Sequence, residues 1–256
     1  LYNYMSQILV ELIKLANLII TVNKSVACAN RIQDVFEIKT SMQYKESLNE
    51  NMKADNSNAV EFKHVALTYS GAGDESLTDI DFTVRKGETV GIIGGTGSGK
   101  SSLVNMIPRF YDATKGEVLI DGINVKDYPR EVLMKKVGIV LQKAVLFKGT
   151  IESNIRWGKK DATNEDIAKA VEIAQATDVV NAKGGTDAVI AQGGKNLSGG
   201  QRQRMTIARA LVKKPDILIL DDSASALDMA TDARLRKSIK ELDYNPTVFI
   251  VSQRTA

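Results

Sequence analysis

The spacing of the hydrophobic positions changes near residue 60. From Ile8 to Val22 nearly every residue is apolar. Glu11, Lys14 and Asn17 recur at every third position of this stretch and would form one polar stripe on a helix. After Val60 the apolar residues occur in short runs, a pattern that is typical of strands. The chain is therefore expected to begin with a helix and to continue into a domain that contains a sheet.

The striped helix has two interpretations. It is either an amphipathic helix on a soluble core, or a membrane helix whose polar stripe faces a helix bundle or a water-filled pathway. A continuous helix from about Tyr4 to Cys28 would span about 35 Å, enough to cross a bilayer core of about 30 Å. This stretch alone does not separate the two. The helical pattern continues to Phe36, and the polar run that follows, rich in Lys, Glu, Asn and Ser, predicts a linker.

The second part of the chain alternates between strand and helix patterns, which predicts an α/β fold. The predicted strands are Val60–Tyr69, Asp79–Val84, Thr89–Ile93, Glu117–Ile120, Gly138–Leu141, Ile217–Leu220 and Val248–Val251, and the predicted helices are Thr163–Thr177 and Ser198–Val212. Thr89–Ile93 is a continuous apolar run and is expected to be buried on both faces. The expected division is 1–38 for the helix and its extension, 39–58 for the linker and 59–256 for the domain.

Both ends are expected to be cuts in a longer protein. The chain begins with Leu1 and lacks the pattern of a secretory signal, and the strand Val248–Val251 is followed by only a few residues.

Composition narrows the possible partners. The 256 residues are 43% hydrophobic and 25% charged, which is ordinary for a folded protein. A net charge of +3 gives no reason to expect a nucleic-acid partner. Cys28 is the single cysteine and the sequence has no Cys/His cluster with metal-ligand spacing, so a reducing, cytosolic setting is expected for the globular part.

A glycine-rich stretch after the strand that ends at Ile93 fits the pattern G-x-x-x-x-G-K-[ST] of a phosphate-binding loop. Its glycines let successive backbone N–H groups point at phosphate oxygens. Lys100 would reach the β and γ phosphates, and the Ser101 hydroxyl would bind Mg²⁺. A ligand-free glycine turn is the alternative, and the preceding strand argues against it. The expected ATP-binding residues here are Gly94, Gly95, Thr96, Gly97, Ser98, Gly99, Lys100, Ser101 and Ser102.

The apolar strand Ile217–Leu220 ends in two carboxylates, Asp221 and Asp222. In phosphate-loop ATPases this arrangement holds the metal and positions water, and we assign Asp221 to the metal. Without the phosphate loop, two such acids could equally cap a helix or form a turn.

A stretch upstream of Asp221 resembles the signature motif of ABC ATPases. It consists of Leu197, Ser198, Gly199, Gly200 and Gln201. Ser198 is expected to cap the following helix, leaving its first amides free to bind an anion. The resemblance implies that two such domains meet head to tail, so that this signature contacts the ATP held by the phosphate loop of another subunit. It also implies the ABC-type phosphate-loop NTPase fold, a mixed sheet with flanking helices and a helical subdomain.

Other positions take their expected roles from the same resemblance. Tyr69 resembles the aromatic residue that stacks on adenine, and Gln142 resembles the glutamine that touches the metal and the attacking water. Ser225 to Asp228 resembles the loop that crosses the dimer interface. Tyr69 could also be an ordinary strand residue, and Gln142 could be a surface amide.

The segment from Ala29 to Glu37 is similar to the one that leaves the last membrane helix of an exporter half-transporter. The resemblance therefore implies that the N-terminal helix is transmembrane. It implies a multi-pass protein of the cell membrane with its ATP-binding domain in the cytoplasm.

The chain departs from the family pattern at two positions. Members that hydrolyse ATP usually have glutamate where this chain has Asp222, and a shorter side chain withdraws the general base from the water. They usually have histidine where this chain has Gln253, which can donate a hydrogen bond but cannot carry a charge. Both departures concern the same ATP site. This resembles heterodimeric exporters with one weakly hydrolysing site; the alternative is a homodimer that uses Asp222 as a slow base.

The expected function is that of an ATP-hydrolysing exporter subunit with ATP and Mg²⁺ as cofactors, in contact with a second half-transporter, membrane lipid and an unknown cargo, and not with nucleic acid. Two other classes of protein share part of this pattern. A soluble ABC-type ATPase of DNA repair would place a long coiled coil between the phosphate loop and the signature, and only roughly 100 residues without heptads lie there. A regulatory module without turnover would not need the signature.

Overall fold

The apolar N-terminal stretch forms one continuous helix, α1, over Tyr2–Glu37. Its 36 residues correspond to about 54 Å, and it is long and apolar enough to cross a membrane. Glu11 and Lys14 of the polar stripe form an ion pair of 2.7 Å on its surface. All described residues of α1 are exposed in this computed structural model, which describes residues 2–38, 40, 42–47 and 57–253.

The chain divides into two compact units, Leu1–Gln43 and Tyr44–Ala256. The second unit contains ten strands and seven α-helices among its described residues. In chain order they are β1 (Asn58–Leu67), β2 (Leu77–Arg85), β3 (Thr89–Ile93), α2 (Lys100–Asn105), β4 (Lys115–Ile120), β5 (Ile123–Asn124), α3 (Arg130–Lys136), β6 (Val137–Val140), β7 (Gly149–Thr150), α4 (Ile151–Arg156), α5 (Asn164–Ile173), α6 (Thr177–Lys183), β8 (Val189–Ile190), α7 (Gly199–Leu211), β9 (Ile217–Asp221), α8 (Met229–Lys240) and β10 (Thr247–Ser252).

Two larger sheets build the domain. One is antiparallel with the strand order β2-β1-β4-β5. The other is parallel with the order β3-β10-β9-β6. Side chains from both sheets and from α2 and α3 share one apolar core, in which Phe62, Phe249 and Leu133 are fully buried. A second core lies among α4 to α8 and the parallel sheet and includes Ile155, Ile167 and Ile207. The predicted α/β fold of sheets with flanking helices is confirmed.

The expectation for Thr89–Ile93 was wrong in one respect. The strand forms over those residues, but its burial alternates, and Ile93 is 59% exposed. The reason is its place in the sheet: within the described residues β3 pairs with β10 alone, so it lies at an edge. A continuous apolar run is compatible with burial of both faces of a strand. It does not predict whether the strand lies inside the sheet or at its edge.

The single helix predicted over Thr163–Thr177 is two helices, α5 and α6. The break lies at Gln175, whose φ of 56° is in the left-handed region. Thr163 caps α5 by accepting a hydrogen bond from the backbone N–H of Asp166, as a residue of its type does at a helix start. The predicted linker 39–58 lies largely outside the described residues, and β1 already begins at Asn58, inside its predicted range.

Candidate nucleotide-binding site

The loop between β3 and α2 reverses the chain over a short distance. Gly97 and Gly99 have φ values of 81° and 82°, which residues with a side chain rarely adopt. A Cβ on Gly99 would also lie 2.8 Å from Leu77 Cδ2 and 3.1 Å from the Ser76 carbonyl oxygen, so a side chain here would force its neighbours to shift. The loop therefore needs glycine at these positions to turn from the strand into the helix.

The side chain of Lys100 folds back over this loop. Its Nζ atom donates hydrogen bonds to the carbonyl oxygens of Gly94 at 2.8 Å and Gly95 at 2.6 Å, and to Ser98 Oγ at 3.3 Å. An ammonium group has three donors, and all three have oxygen acceptors here. Phosphate oxygens are charged acceptors and bind an ammonium group more strongly than carbonyl oxygens do. The lysine is thus held where phosphates of a bound nucleotide could take over its hydrogen bonds.

Two residues distant in sequence meet at the start of α2. Ser101 Oγ donates a hydrogen bond to Asp221 Oδ1 at 3.1 Å. Asp221 is only 4% exposed, and burial, together with the nearby Asp222, raises the pKa of its carboxyl, while Ser101 and Lys100 oppose the shift. A buried carboxylate beside a hydroxyl is an oxygen donor set that suits Mg²⁺. These residues therefore fit the metal that the motif implies.

Asp222 lies directly after β9 with a left-handed φ of 46°. Its Oδ2 atom accepts hydrogen bonds from Gln142 Nε2 at 3.0 Å and from Gln253 Nε2 at 3.3 Å. Thr96 of the phosphate loop donates in turn to Gln253 Oε1 at 3.2 Å. The side chains predicted to act on the attacking water are thus brought together, and they are linked to the phosphate loop.

Tyr69 closes the other end of the site. Its hydroxyl donates a hydrogen bond to Ser102 Oγ at 2.7 Å. Its ring packs nearly perpendicular to the ring of Tyr111, with 5.0 Å between the ring centroids. Sequence reasoning missed Tyr111, because it belongs to no motif and only the fold brings it to Tyr69. The pair Phe110–Tyr111 shortly after the phosphate loop was the one available signal.

Most of these residues, though not Tyr111, Gly94 or Gly95, line one cavity of about 330 Å³. It is lined by Tyr69, Ser76, Thr96, Gly97, Ser98, Gly99, Lys100, Ser101, Ser102, Gln142, Asp221, Asp222, Val251 and Gln253. Ser76 and Val251 had not been singled out in the sequence. Among the described residues, the signature from Leu197 to Gln201 and Asp228 are not in this lining.

The signature forms the start of α7. Ser198 Oγ accepts a hydrogen bond from the Gln201 backbone N–H at 3.2 Å, and Gln201 Oε1 accepts one from the Ser198 N–H at 2.9 Å. This reciprocal capping box fixes the first turn. A Cβ on Gly200 would lie 2.9 Å from the carbonyl oxygen of Ala226, so the glycine allows the helix to approach the next loop. Asp228 caps α8 by accepting from the Thr231 N–H at 2.9 Å.

The fold and the site define a phosphate-loop nucleotide-binding domain. The family model described as "ABC transporter" matches residues 77–225, more than half of the chain. The chain belongs to the ABC transporter family, and this membership implies that it binds ATP.

Its relatives include transporters of several kinds. The ABC transporter ATP-binding protein YfiB of Bacillus subtilis is 39% identical over 253 residues, 98% of this chain and 43% of that protein. The β-(1→2)glucan export ATP-binding/permease protein NdvA of Bartonella henselae is 39% identical over 91% of this chain and 39% of its own length. The chain thus spans less than half the length of these relatives.

A solved structure is also similar. The structure of a bacterial Atm1-family ABC exporter with ATP bound matches with a TM-score of 0.80 at 30% identity, over 91% of this chain and 41% of that one. The match extends the likeness from sequence to fold over nearly all of the chain.

Proposed function

We propose that the chain is the ATP-binding part of an ABC exporter subunit, which binds MgATP between paired nucleotide-binding domains and drives export of a substrate. The observation that carries this proposal is the separation of the two phosphate-binding elements. The phosphate loop lines the chain's own cavity, and the capped, glycine-bearing start of α7 does not. A signature that does not reach its own nucleotide can serve one held by another domain. The glucan exporter and the ATP-bound exporter among its relatives support this interpretation.

Within the chain's own site, each residue has a proposed role. Lys100 and the backbone of the phosphate loop bind the phosphates, and Tyr69 stacks on the base. Ser101, Gln142 and Asp221 hold Mg²⁺, which would neutralise developing charge on the phosphates. Asp222, Gln142 and Gln253 orient the attacking water, and Asp228 lies at the interface with the partner domain.

We propose that this site hydrolyses ATP only weakly. The Asp222 carboxylate is one methylene shorter than glutamate, and two amides donate to a single one of its oxygens. A base withdrawn by that length reaches the water less well, since a general base must come within about 2.6–3.2 Å of the proton that it removes. The signature is intact and its capping box is formed, so the other site of the pair would remain competent.

The second unit would lie in the cytoplasm, and α1 would be one helix of a multi-pass membrane domain in contact with lipid. The length and apolar composition of α1 support this placement. The proposed division of the chain is 1–38 for the membrane part, 39–58 for the linker and 59–256 for the nucleotide-binding domain.

The partner is proposed to be a second, different half-transporter. The test is to tag the full-length protein in its own cells, extract it in mild detergent and determine by native mass which subunit copurifies in stoichiometric amount. A different half-transporter supports the heterodimer. Copies of this chain alone would overturn it and leave the second candidate, a homodimer with Asp222 as a slow base. Recovery without detergent in the soluble fraction would contradict the exporter assignment itself.

A further inference from the structure

The side chain of Arg204 connects the signature helix to another part of the domain. Arg204 lies on α7, downstream of the signature, and its side chain is 14% exposed. Its Nη1 and Nη2 atoms bind Asp178 Oδ1 at 2.6 Å and Oδ2 at 3.2 Å, a two-pronged ion pair. Nη1 also donates to the backbone carbonyl of Gln175. A planar guanidinium that binds a carboxylate in a bidentate way fixes the relative orientation of the two side chains as well as their distance. A lysine ammonium group cannot do this.

The acceptors of Arg204 are Gln175, in the turn between α5 and α6, and Asp178, in the first turn of α6. Gln175 has left-handed backbone geometry there, and its Nε2 atom donates to Ser238 Oγ of α8 at 3.1 Å. One turn is therefore bound to α7 through Arg204 and to α8 through Gln175. Because Asp228 caps α8, the turn connects the two helices whose N-terminal ends are proposed to face the partner domain.

The start of α7 has little freedom to compensate for a change in this connection. Gly200 lies so close to the carbonyl oxygen of Ala226 that even a methyl group would be at 2.9 Å. A small rotation of α7 about its axis would press the signature against this loop or lift it away. The anchor at Arg204 and the contact at Gly200 together define the direction of the backbone N–H groups at the start of the helix.

We infer that Arg204 is a positioning residue for the nucleotide bound by the partner domain. It holds α7 through Asp178 so that the amides after Ser198 point out of the domain at a phosphate. This inference rests on the proposed function, since it requires a signature that acts on another subunit's ATP. Arg204 would act by fixing the orientation of α7, and it would not itself contact the nucleotide.

The test uses the purified full-length complex with its copurified partner. Arg204→Ala is expected to lower kcat/KM for ATP at least tenfold, whereas photolabelling of this chain by an azido-ATP remains unchanged because its own phosphate loop is intact. Arg204→Lys is expected to restore little, since it keeps the charge but loses the two-pronged geometry. The exchanged pair Arg204→Asp with Asp178→Arg is expected to recover part of the rate. Arg236→Ala, which removes an ion pair of 2.8 Å with Asp232 on α8, is the matched control and should change nothing.

A second variant separates failure of this inference from failure of the proposed function. Ser198→Arg fills the anion site of the signature directly. If it lowers the rate and Arg204→Ala does not, the inference is overturned and the proposed function stands. If neither lowers the rate, the signature does not act on a partner's ATP and both fail. Equal loss of azido-ATP labelling on this chain, or a lowered unfolding midpoint for Arg204→Ala, would show a merely structural role and would also overturn the inference.

Discussion

The proposal of one weakly hydrolysing and one competent ATP site depends on Asp222. Its backbone is left-handed, and its Oδ2 atom is the common acceptor of Gln142 and Gln253. A general base must come within about 2.6–3.2 Å of the proton that it removes. An aspartate that holds two amides is better placed to orient them than to reach a water beyond them. The carboxylate is thus an anchor for the two glutamines.

A longer side chain at this position is expected to bring the carboxylate within reach of the attacking water. Asp222→Glu should raise hydrolysis at the chain's own site by about tenfold or more, since general-base catalysis typically contributes about 10²–10⁴. Phosphate release is measured in the complex that also carries Ser198→Arg, which suppresses the other site. Asp161→Glu makes the same chemical change at an exposed position and is the control. An unchanged rate for Asp222→Glu would mean that reach is not what limits this site.

Substitution of Lys100 is expected to change the affinity of this site for ATP. Lys100→Ala removes an ammonium group with three oxygen acceptors in the phosphate loop. Charge-assisted hydrogen bonds are worth about 1.5–3 kcal/mol, so ATP should bind this site about 10–100-fold more weakly. The measurement is azido-ATP labelling of this chain over a range of ATP concentrations. Lys115→Ala, which removes an exposed lysine paired with Glu75, should leave the labelling unchanged.

The residues of the site differed in how far their sequence could predict them. Lys100, Ser101 and Asp221 could be predicted because short motifs fix their backbone geometry, and the structure brings Ser101 to Asp221. Tyr111 could not, because its contact with Tyr69 depends on how two segments distant in sequence pack together. The link from Thr96 to Gln253 also joins distant segments, and no local pattern encodes it.

At the scale of elements, an irregularity crosses three strands of the antiparallel sheet. His64 on β1, Asp79 on β2 and Gly116 on β4 all have left-handed φ values, of 49°, 48° and 68°. The strand pairing shifts register at the same place on β1. A Cβ on Gly116 would lie 2.2 Å from the carbonyl oxygen of Lys63. The bulge therefore exists only because β4 offers a position without a side chain.

Gly116→Ala is expected to destabilise the domain by about 2–4 kcal/mol, because it combines a left-handed backbone with a clash against main-chain atoms. Gly73→Ala is the matched control, since a Cβ there meets no atom within 4 Å and its φ is not positive. Urea unfolding followed by the fluorescence of Trp157, the one tryptophan of the chain, measures both. Equal stability of the two variants would show that the strands can shift to accept the methyl group.

The periodicity of the sequence predicted which elements exist better than it predicted their surroundings. The strand Thr89–Ile93 formed where the apolar run lies, but its place at a sheet edge depends on pairing partners distant in the chain. The predicted helix over Thr163–Thr177 is two helices because Gln175 adopts a left-handed backbone conformation. Glutamine as a residue type does not predict this conformation. Local pattern decides the type of an element, and tertiary packing decides its neighbours and its ends.

At the scale of the second unit, a chain of four charges joins the two sheets. Asp121, which follows β4 of the antiparallel sheet, accepts from Lys86 at 2.9 Å and from Lys136 at 2.7 Å. Lys136 also binds Asp216, which precedes β9 of the parallel sheet, at 2.9 Å. Asp121 is 8% exposed, so its carboxylate oxygens contact the two lysines more than water. The network therefore stabilises one arrangement of the two sheets, on which the geometry of the ATP site depends.

Lys136→Met is expected to lower the free energy of unfolding by about 2–3 kcal/mol, less than for a fully buried pair because Lys86 still contacts Asp121. The two carboxylates raise the pKa of Lys136 above its usual range, although burial opposes the shift. A raised lysine pKa contributes stability that is complete below the unfolded value of about 10.4 and is lost only as the pH rises through the folded value. Urea unfolding at pH 7 and pH 9 should therefore show the same difference from the unchanged protein. Lys169→Met, which breaks an exposed pair with Asp243, is the control and should lower the free energy of unfolding by at most about 0.5 kcal/mol. An equally small loss for Lys136→Met would mean that packing alone holds the sheets together.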